Sequence, residues 1–180
     1  MDFPSIYETE RQSSSLLLQL AMLFLLFQMG NDRYALEARR VVEVVPLLEL
    51  KRLPQAPKGV AGIFNYRGHP VPAVDVSELT LGVPAAERLS TRIIIVHHPD
   101  GAGHNRLLGI IAEYATQTVQ FHSQDFIDPG VKIGAAPYLG PVLMDEKGPI
   151  QWLHAQRLLS EPVRNLLFSE PVALLGADKS

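Results

Sequence analysis

The apolar positions of this chain fall mostly into short runs separated by turn-forming residues, which predicts many strands and few long helices. The first run, Met22 to Met29 (MLFLLFQM), has the length of one buried strand. In the GNDR that follows, Gly30, Asn31 and Asp32 tolerate the dihedrals of a tight reversal, and Tyr34 to Leu36 reads as the returning strand. The period then changes. In EARRVVEVV, Ala38, Val41, Val42 and Val45 stand at i, i+3, i+4 and i+7, which predicts a short helix ended by Pro46, with Arg39, Arg40 and Glu43 off its apolar stripe. The proline-bearing stretch LLELKRLPQAPKG is an irregular connector.

Val60 to Tyr66 and His69 to Val76 are two apolar runs divided by Arg67-Gly68, a hairpin signal. N–H directions alternate along a strand, so Pro70 and Pro72, two apart, withhold both donors from the same edge. The strand reads as an edge or barrel-rim strand guarded against further pairing, with Arg67 displayed at its mouth. Ser77 to Leu81 reads as one helical turn capped by Asp75. Thr91 to Val96 (TRIIIV) is β-branched almost throughout and is the clearest strand; HHPDGAGHN reads as a loop, Arg106 to Ala115 as the partner strand, and Thr116 to Phe121 alternates weakly. Residues 122 to 137 have little period. Tyr138 to Met144 and Ile150 to Leu153 form a last hairpin about DEKG, and SEPVRNLL at Ser160 and SEPVALL at Ser169 are helix starts, giving two short helices or one broken one. The sum is a mainly β chain of barrels or sandwiches.

Composition narrows the function. The chain's 180 residues make one medium domain or two small ones sharing a core, and 47% apolar with 19% charged residues is an ordinary globular balance. A net charge of −3 supplies no field for gripping phosphate backbones, so nucleic acid is a poor partner. The absence of cysteine excludes a disulfide scaffold, thiolate zinc and a cysteine nucleophile, and fits a reducing compartment. Ser13 to Gly30 is uncharged and of borderline length for a membrane span, but Gln19 and Gln28 interrupt it. The acidic start MDFPSIYETE and the lack of a small-residue cleavage site argue against a signal peptide. Two readings of this leader stand: a buried strand with an apolar lead-in, or a membrane-associated β-domain anchored by residues 13–30.

No catalytic set can be named. His97 and His98 are adjacent, so in a strand they face opposite sides and do not share a metal easily; His122 and Asp125 have helical spacing in a segment without helical character. No phosphate-cradling glycine loop and no G-x-S-x-G occurs. The expectation is no enzyme, no cofactor and no metal.

The stretch from Gly62 to Asp75 resembles the core phrase of the CheW family of chemosensory coupling proteins, G-x-x-N-L-R-G-x-x-x-P-x-x-D, with Gly62, Asn65, Tyr66, Arg67, Gly68, Pro72 and Asp75 at the matching places. FLLFQMGNDRYALEARRVVEVV resembles the family's opening, TRIIIVHH and RLLGIIAE its second-barrel strands, and YLGPVLMDEKGPIQWLHAQRLL its closing hairpin and helix, over roughly residues 23 to 159. The resemblance implies two SH3-like five-stranded β-barrel subdomains that share a core, with a few short helices. It divides the chain into an apolar leader (1–21), the CheW-like domain (22–159) and a short-helix tail (160–180). It implies a non-catalytic adaptor between the cytoplasmic tip of a methyl-accepting chemoreceptor and the regulatory domain of a CheA-type histidine kinase, cytoplasmic, recruited to membrane receptor arrays and weakly self-associating, without membrane insertion. By the same resemblance, partner contacts or their support are expected at Val41, Glu43, Gly62, Arg67 and Gly109.

Each of these residues also has a plainer reading. Arg67 can fix the turn by forking onto carbonyls or a carboxylate; Val41 can be core; Glu43 can be solvated. Gly62 and Gly68 are backbone devices, and Gly109, inside an apolar strand, leaves room for another surface or marks a bulge. Tyr66 in place of leucine, EYATQTVQF in place of a more acidic pattern, and His97, His98 and His104 depart from the family and fit a system other than flagellar chemotaxis, such as surface sensing.

Overall fold

A computed structural model describes residues 21–131 and 134–169. Nine strands carry it: β1 (Ala21–Met29), β2 (Asp32–Glu37), β3 (Val41–Pro46), β4 (Val60–Tyr66), β5 (His69–Asp75), β6 (Thr91–Pro99), β7 (Asn105–His122), β8 (Leu139–Asp145) and β9 (Gly148–Leu153). Among the described residues two α-helices accompany them, α1 (Val76–Leu81) and α2 (Glu161–Phe168). The sheet order is β3-β6-β7-β1-β2-β9-β8, with the β4–β5 hairpin joined to β7 through β5.

The 18-residue β7 makes this one body of two barrels. Its first half pairs with β6, from Pro99↔Asn105 to Thr91↔Glu113, and in parallel with the end of β5. Its second half pairs with β1, from Gln28↔Glu113 to Ala21↔His122. The first barrel is therefore β3–β6–β7–β5–β4, closed by the bridge Lys51↔Ile63; the second is β7–β1–β2–β9–β8, closed by Ile127↔Val142. Each has its own core. Phe64, Tyr66, Val71, Ala73, Ile93, Ile95 and Ile111 fill the first, and Phe24, Ala35, Phe126, Leu143 and Ile150 the second. Alternation along β6 sends Ile93 and Ile95 into the first barrel and Ile94 and Val96 into a third, larger cluster between the barrels with Phe27, Met29, Leu36, Leu108 and Leu153. Each such side chain contributes about 1.5–3 kcal/mol on burial, so the shared cluster holds the two barrels as a unit. The Arg33 guanidinium forks onto Asp145 at 2.6 Å through both nitrogens, pinning β2 to the β8–β9 turn.

The structure corrects the predicted helix over Ala38–Val45. Only Ala38–Arg40 form a 3-10 turn; Val41–Pro46 is β3, paired antiparallel with β6 from Val41↔Val96 to Pro46↔Arg92. A register shift between Val41 and Glu43 turns Val42 outward to 40% exposure, and that bulge mimics a helical period over a few residues. Four valines in five positions prefer the pleated ladder. His97 and His98 belong to β6 rather than a loop, on opposite faces, with His98 fully buried. Ser160 stands at the N-cap of α2, with Pro162 in its first turn. The helix start at Ser169 points into residues 170–180, outside the described residues, as do residues 1–20 of the leader. The part of the uncharged stretch that is described is β1, hydrogen-bonded between β2 and β7. Among the described residues no helix is long and apolar enough to cross a membrane.

Candidate functional site: the rim of the first barrel

The β4–β5 hairpin closes in two residues, Arg67 (φ 52°) and Gly68 (φ 86°), both left-handed as the primed hairpin turns require. The Asn65 side-chain oxygen accepts the Gly68 N–H at 2.8 Å and locks the reversal. Arg67 extends from this turn with 72% of its side chain exposed. It is held from two sides: its Nη2 donates to Glu43 Oε2 at 2.9 Å, and its guanidinium carbon lies 5.1 Å from the centroid of the Tyr66 ring. The Tyr66 hydroxyl donates to the same Glu43 oxygen at 2.5 Å. That hydrogen bond, followed by burial, holds the Tyr66 phenol above its ordinary range. Glu43, from β3, thus collects a neutral and a cationic donor from the hairpin beside it.

The structure unites Glu43 and Arg67, while Val41, Gly62 and Gly109 have their neighbours elsewhere in the fold. Val41 is half-buried against the shared cluster. Gly62 (φ 147°) lies at a register shift in β4, where an added Cβ would stand 2.5 Å from the Lys51 carbonyl oxygen. Gly109 is buried opposite Ala73 of β5, and an added Cβ would stand 2.5 Å from Cε1 of Phe64; the surface approaching this glycine is the barrel's own core. Asp75 caps α1: Oδ1 accepts from Ser77 N and Glu78 N, both at 3.0 Å, and Oδ2 from Ala85 N at 2.9 Å. Pro70 and Pro72 face β4 at Asn65 and Ile63, while pairing of β5 to β7 begins only at Ala73. The other edge of residues 69–72 carries no strand among the described residues.

His98 and His104 each have partners within the fold. The His98 Nδ1 lies 2.9 Å from the Pro99 carbonyl, and its ring centroid is 5.8 Å from that of Phe168. Burial pushes its imidazole down to about 4, the Arg164 and Arg40 charges push the same way, and the Pro99 carbonyl opposes them. His104 belongs to the loop organised by Asp100, which accepts from Ala102 N, His104 N and Arg106 Nε. Burial resists ionisation of Asp100, yet these donors overcome it and bring the carboxyl down to about 2. Among the described residues no three His, Asp or Glu side chains converge on a metal position.

Tyr66 is the neighbour of Arg67 and Glu43 that sequence reasoning missed. It was legible as a departure beside Arg67, but its partner Glu43 is 23 residues away and meets it only once the barrel closes.

The rim of this mainly β double barrel thus carries a braced, exposed cation. Comparison with known proteins supplies the family. Residues 23–163 match the CheW-like domain model, and the chain belongs to that family. It is similar to the chemotaxis protein CheW of Helicobacter pylori, 29% identical over 107 residues, a match covering 59% of this chain and 61% of that relative's length. The crystal structure of the scaffolding protein TtCheW from Thermoanaerobacter tengcongensis shares the fold, with a TM-score of 0.67 at 21% identity over 77% of this chain and 88% of that one.

Proposed function

We propose that this protein is a non-catalytic adaptor that joins a methyl-accepting chemoreceptor to a CheA-type histidine kinase, and that the Arg67 rim is one of its docking faces. The family match over residues 23–163 carries this reading. The side chain that the family pattern aligns with a partner contact is also exposed and braced, so little rotamer entropy is lost when a carboxylate or carbonyl of the partner meets it. In this reading Glu43 and Tyr66 aim the guanidinium, while Val41, Gly62 and Gly109 keep the barrel behind it in shape. Residues 22–159 form the signalling domain, on the cytoplasmic side and recruited by the receptor. Tyr66 and the histidines of β6 and the following loop support a partner set other than that of flagellar chemotaxis, such as a surface-sensing system.

Pull-down of the Arg67→Ala variant with a receptor tip hairpin and a kinase regulatory domain, beside a circular dichroism melt, tests the rim. Weakened capture of a partner by a folded variant supports the role. Undiminished capture of both partners removes Arg67 from the interface, and loss of the fold makes it structural.

A further inference from the structure

Where α2 meets the end of β6, three side chains from three elements each carry a buried nitrogen without a hydrogen-bond partner among the described residues. They are Nε of Arg40 from the 3-10 turn, Nε2 of His98 from β6 and Nε of Arg164 from α2. Buried polar atoms are nearly always satisfied, and both arginine charges act on His98, so these three form one neighbourhood that calls for a ligand. His98 is fully buried, and its Nδ1 lies 2.9 Å from the Pro99 carbonyl. A carbonyl only accepts, so Nδ1 carries the proton; Nε2 then offers a lone pair while the ring is neutral and a second N–H once it is charged. The Arg164 head rests on the loop after β6, where a Cβ added at Gly101 would stand 3.0 Å from both its Nε and its Nη2. Glu37 reaches Arg40 only at 3.8 Å and already accepts from Arg39 at 2.5 Å. Arg164 forms no ion pair among the described residues. Arg106, opposite His98 in the β6–β7 ladder, holds Asp100 at 3.3 Å.

We propose that Arg40, His98 and Arg164 form a site for a tetrahedral oxyanion, a phosphate group above all. The three groups come from a turn, a strand and a helix. A tetrahedral group turns oxygens towards all of them, where a planar carboxylate serves a single plane. An anion there favours the charged imidazole, so His98 takes up a proton as the ligand enters. Arg164 belongs to α2 and Arg40 to the turn before β3, so the bound group ties α2 to the barrels. Such a site stands whether or not the Arg67 rim docks a partner.

Calorimetric titration of the full-length protein with sodium sulfate, at ionic strength fixed with sodium chloride, tests the site, because sulfate does not titrate between pH 6 and pH 8. One sulfate per chain is expected. His98 titrates at about 4 without the anion and higher with it, so affinity rises as pH falls, at least about three-fold from pH 8 to pH 6. His98→Gln should remove this dependence; its persistence would overturn the part given to His98 and assign it to His154, on which Arg40 also acts. Arg164 is half-exposed on α2, so Arg164→Gln should keep the fold, checked by circular dichroism, while binding weakens at least about ten-fold. Arg52→Gln removes the same charge from an exposed position and should leave binding unchanged. Inorganic phosphate and adenosine 5′-monophosphate then separate the sources: equal affinity assigns the site to free phosphate, and tighter nucleotide binding to a phosphate ester. No binding above the chloride control, or equal weakening by Arg164→Gln and Arg52→Gln, overturns the proposal.

Discussion

Replacing Gly62 by alanine separates a residue that touches a partner from one that shapes the barrel. At φ 147° an alanine is strained by about 1–3 kcal/mol. Its Cβ would also lie 2.5 Å from the Lys51 oxygen and 3.0 Å from the Lys51 carbonyl carbon, and these backbone atoms cannot swing aside as a side chain could. Relief requires opening the bridge that closes the first barrel, Lys51 N to Ile63 O at 2.8 Å and Ile63 N to Lys51 O at 2.9 Å, each worth about 1 kcal/mol. The sum is about 3–5 kcal/mol, which at about 3 °C per kcal/mol for a chain of this size lowers the melting temperature by about 10–15 °C. Gly68→Ala is the control. Its Cβ would meet nothing within 4 Å, so strain at φ 86° alone costs about 1 kcal/mol. Scanning calorimetry of both variants, with binding to a kinase regulatory domain measured well below each melting point, gives the readout. A Gly62→Ala protein that melts within about 2 °C of wild type yet loses the partner would refute this reasoning and make Gly62 a contact.

Arg67→Ala removes an exposed ion pair worth about 0–1 kcal/mol, so chemical denaturation is expected to shift by less than that while partner capture falls. Asp75→Ala strands three backbone N–H groups at the start of α1 and at Ala85, a loss of about 3 kcal/mol or more by urea denaturation, with Asp75→Asn retaining part of it. The pH dependence of His98 has a definite sign. Its folded value, about 4, lies below its ordinary 6.5, so the unfolded chain binds the extra proton first. Stability is therefore complete above pH ~6.5 and falls as pH drops towards ~4, by up to about 3 kcal/mol, and a His98→Phe variant should lose this slope in urea melts at stepped pH.

Much of this architecture was legible because short β-branched runs and turn residues alternate. The β4–β5 hairpin, its Arg67-Gly68 turn, the Asp75 cap and the TRIIIV strand all follow from local chemistry that packing then reinforces. VVEVV misled because four apolar positions fit a helical stripe and a bulged strand equally well, and pairing with β6 decides between them. The length of β7 was hidden for a related reason. Its second half, ATQTVQFH, serves a different barrel from its first, so its exposed positions break the apolar run without breaking the strand. At the rim, sequence placed Arg67 at the turn and Glu43 near the site, but their meeting through Tyr66 depends on closure of the barrel between β3 and β4. Gly109 read as room for another surface or as a bulge, and only the fold places Phe64 against it.

In its proposed role this double barrel holds a receptor and a kinase together and transforms neither. Its most direct test is affinity purification of the tagged full-length protein from its native cell, followed by mass spectrometry of what it retains. A methyl-accepting receptor and a histidine kinase are expected together, both reduced when Arg67 is alanine; recovery of neither with the intact, folded protein contradicts the adaptor role.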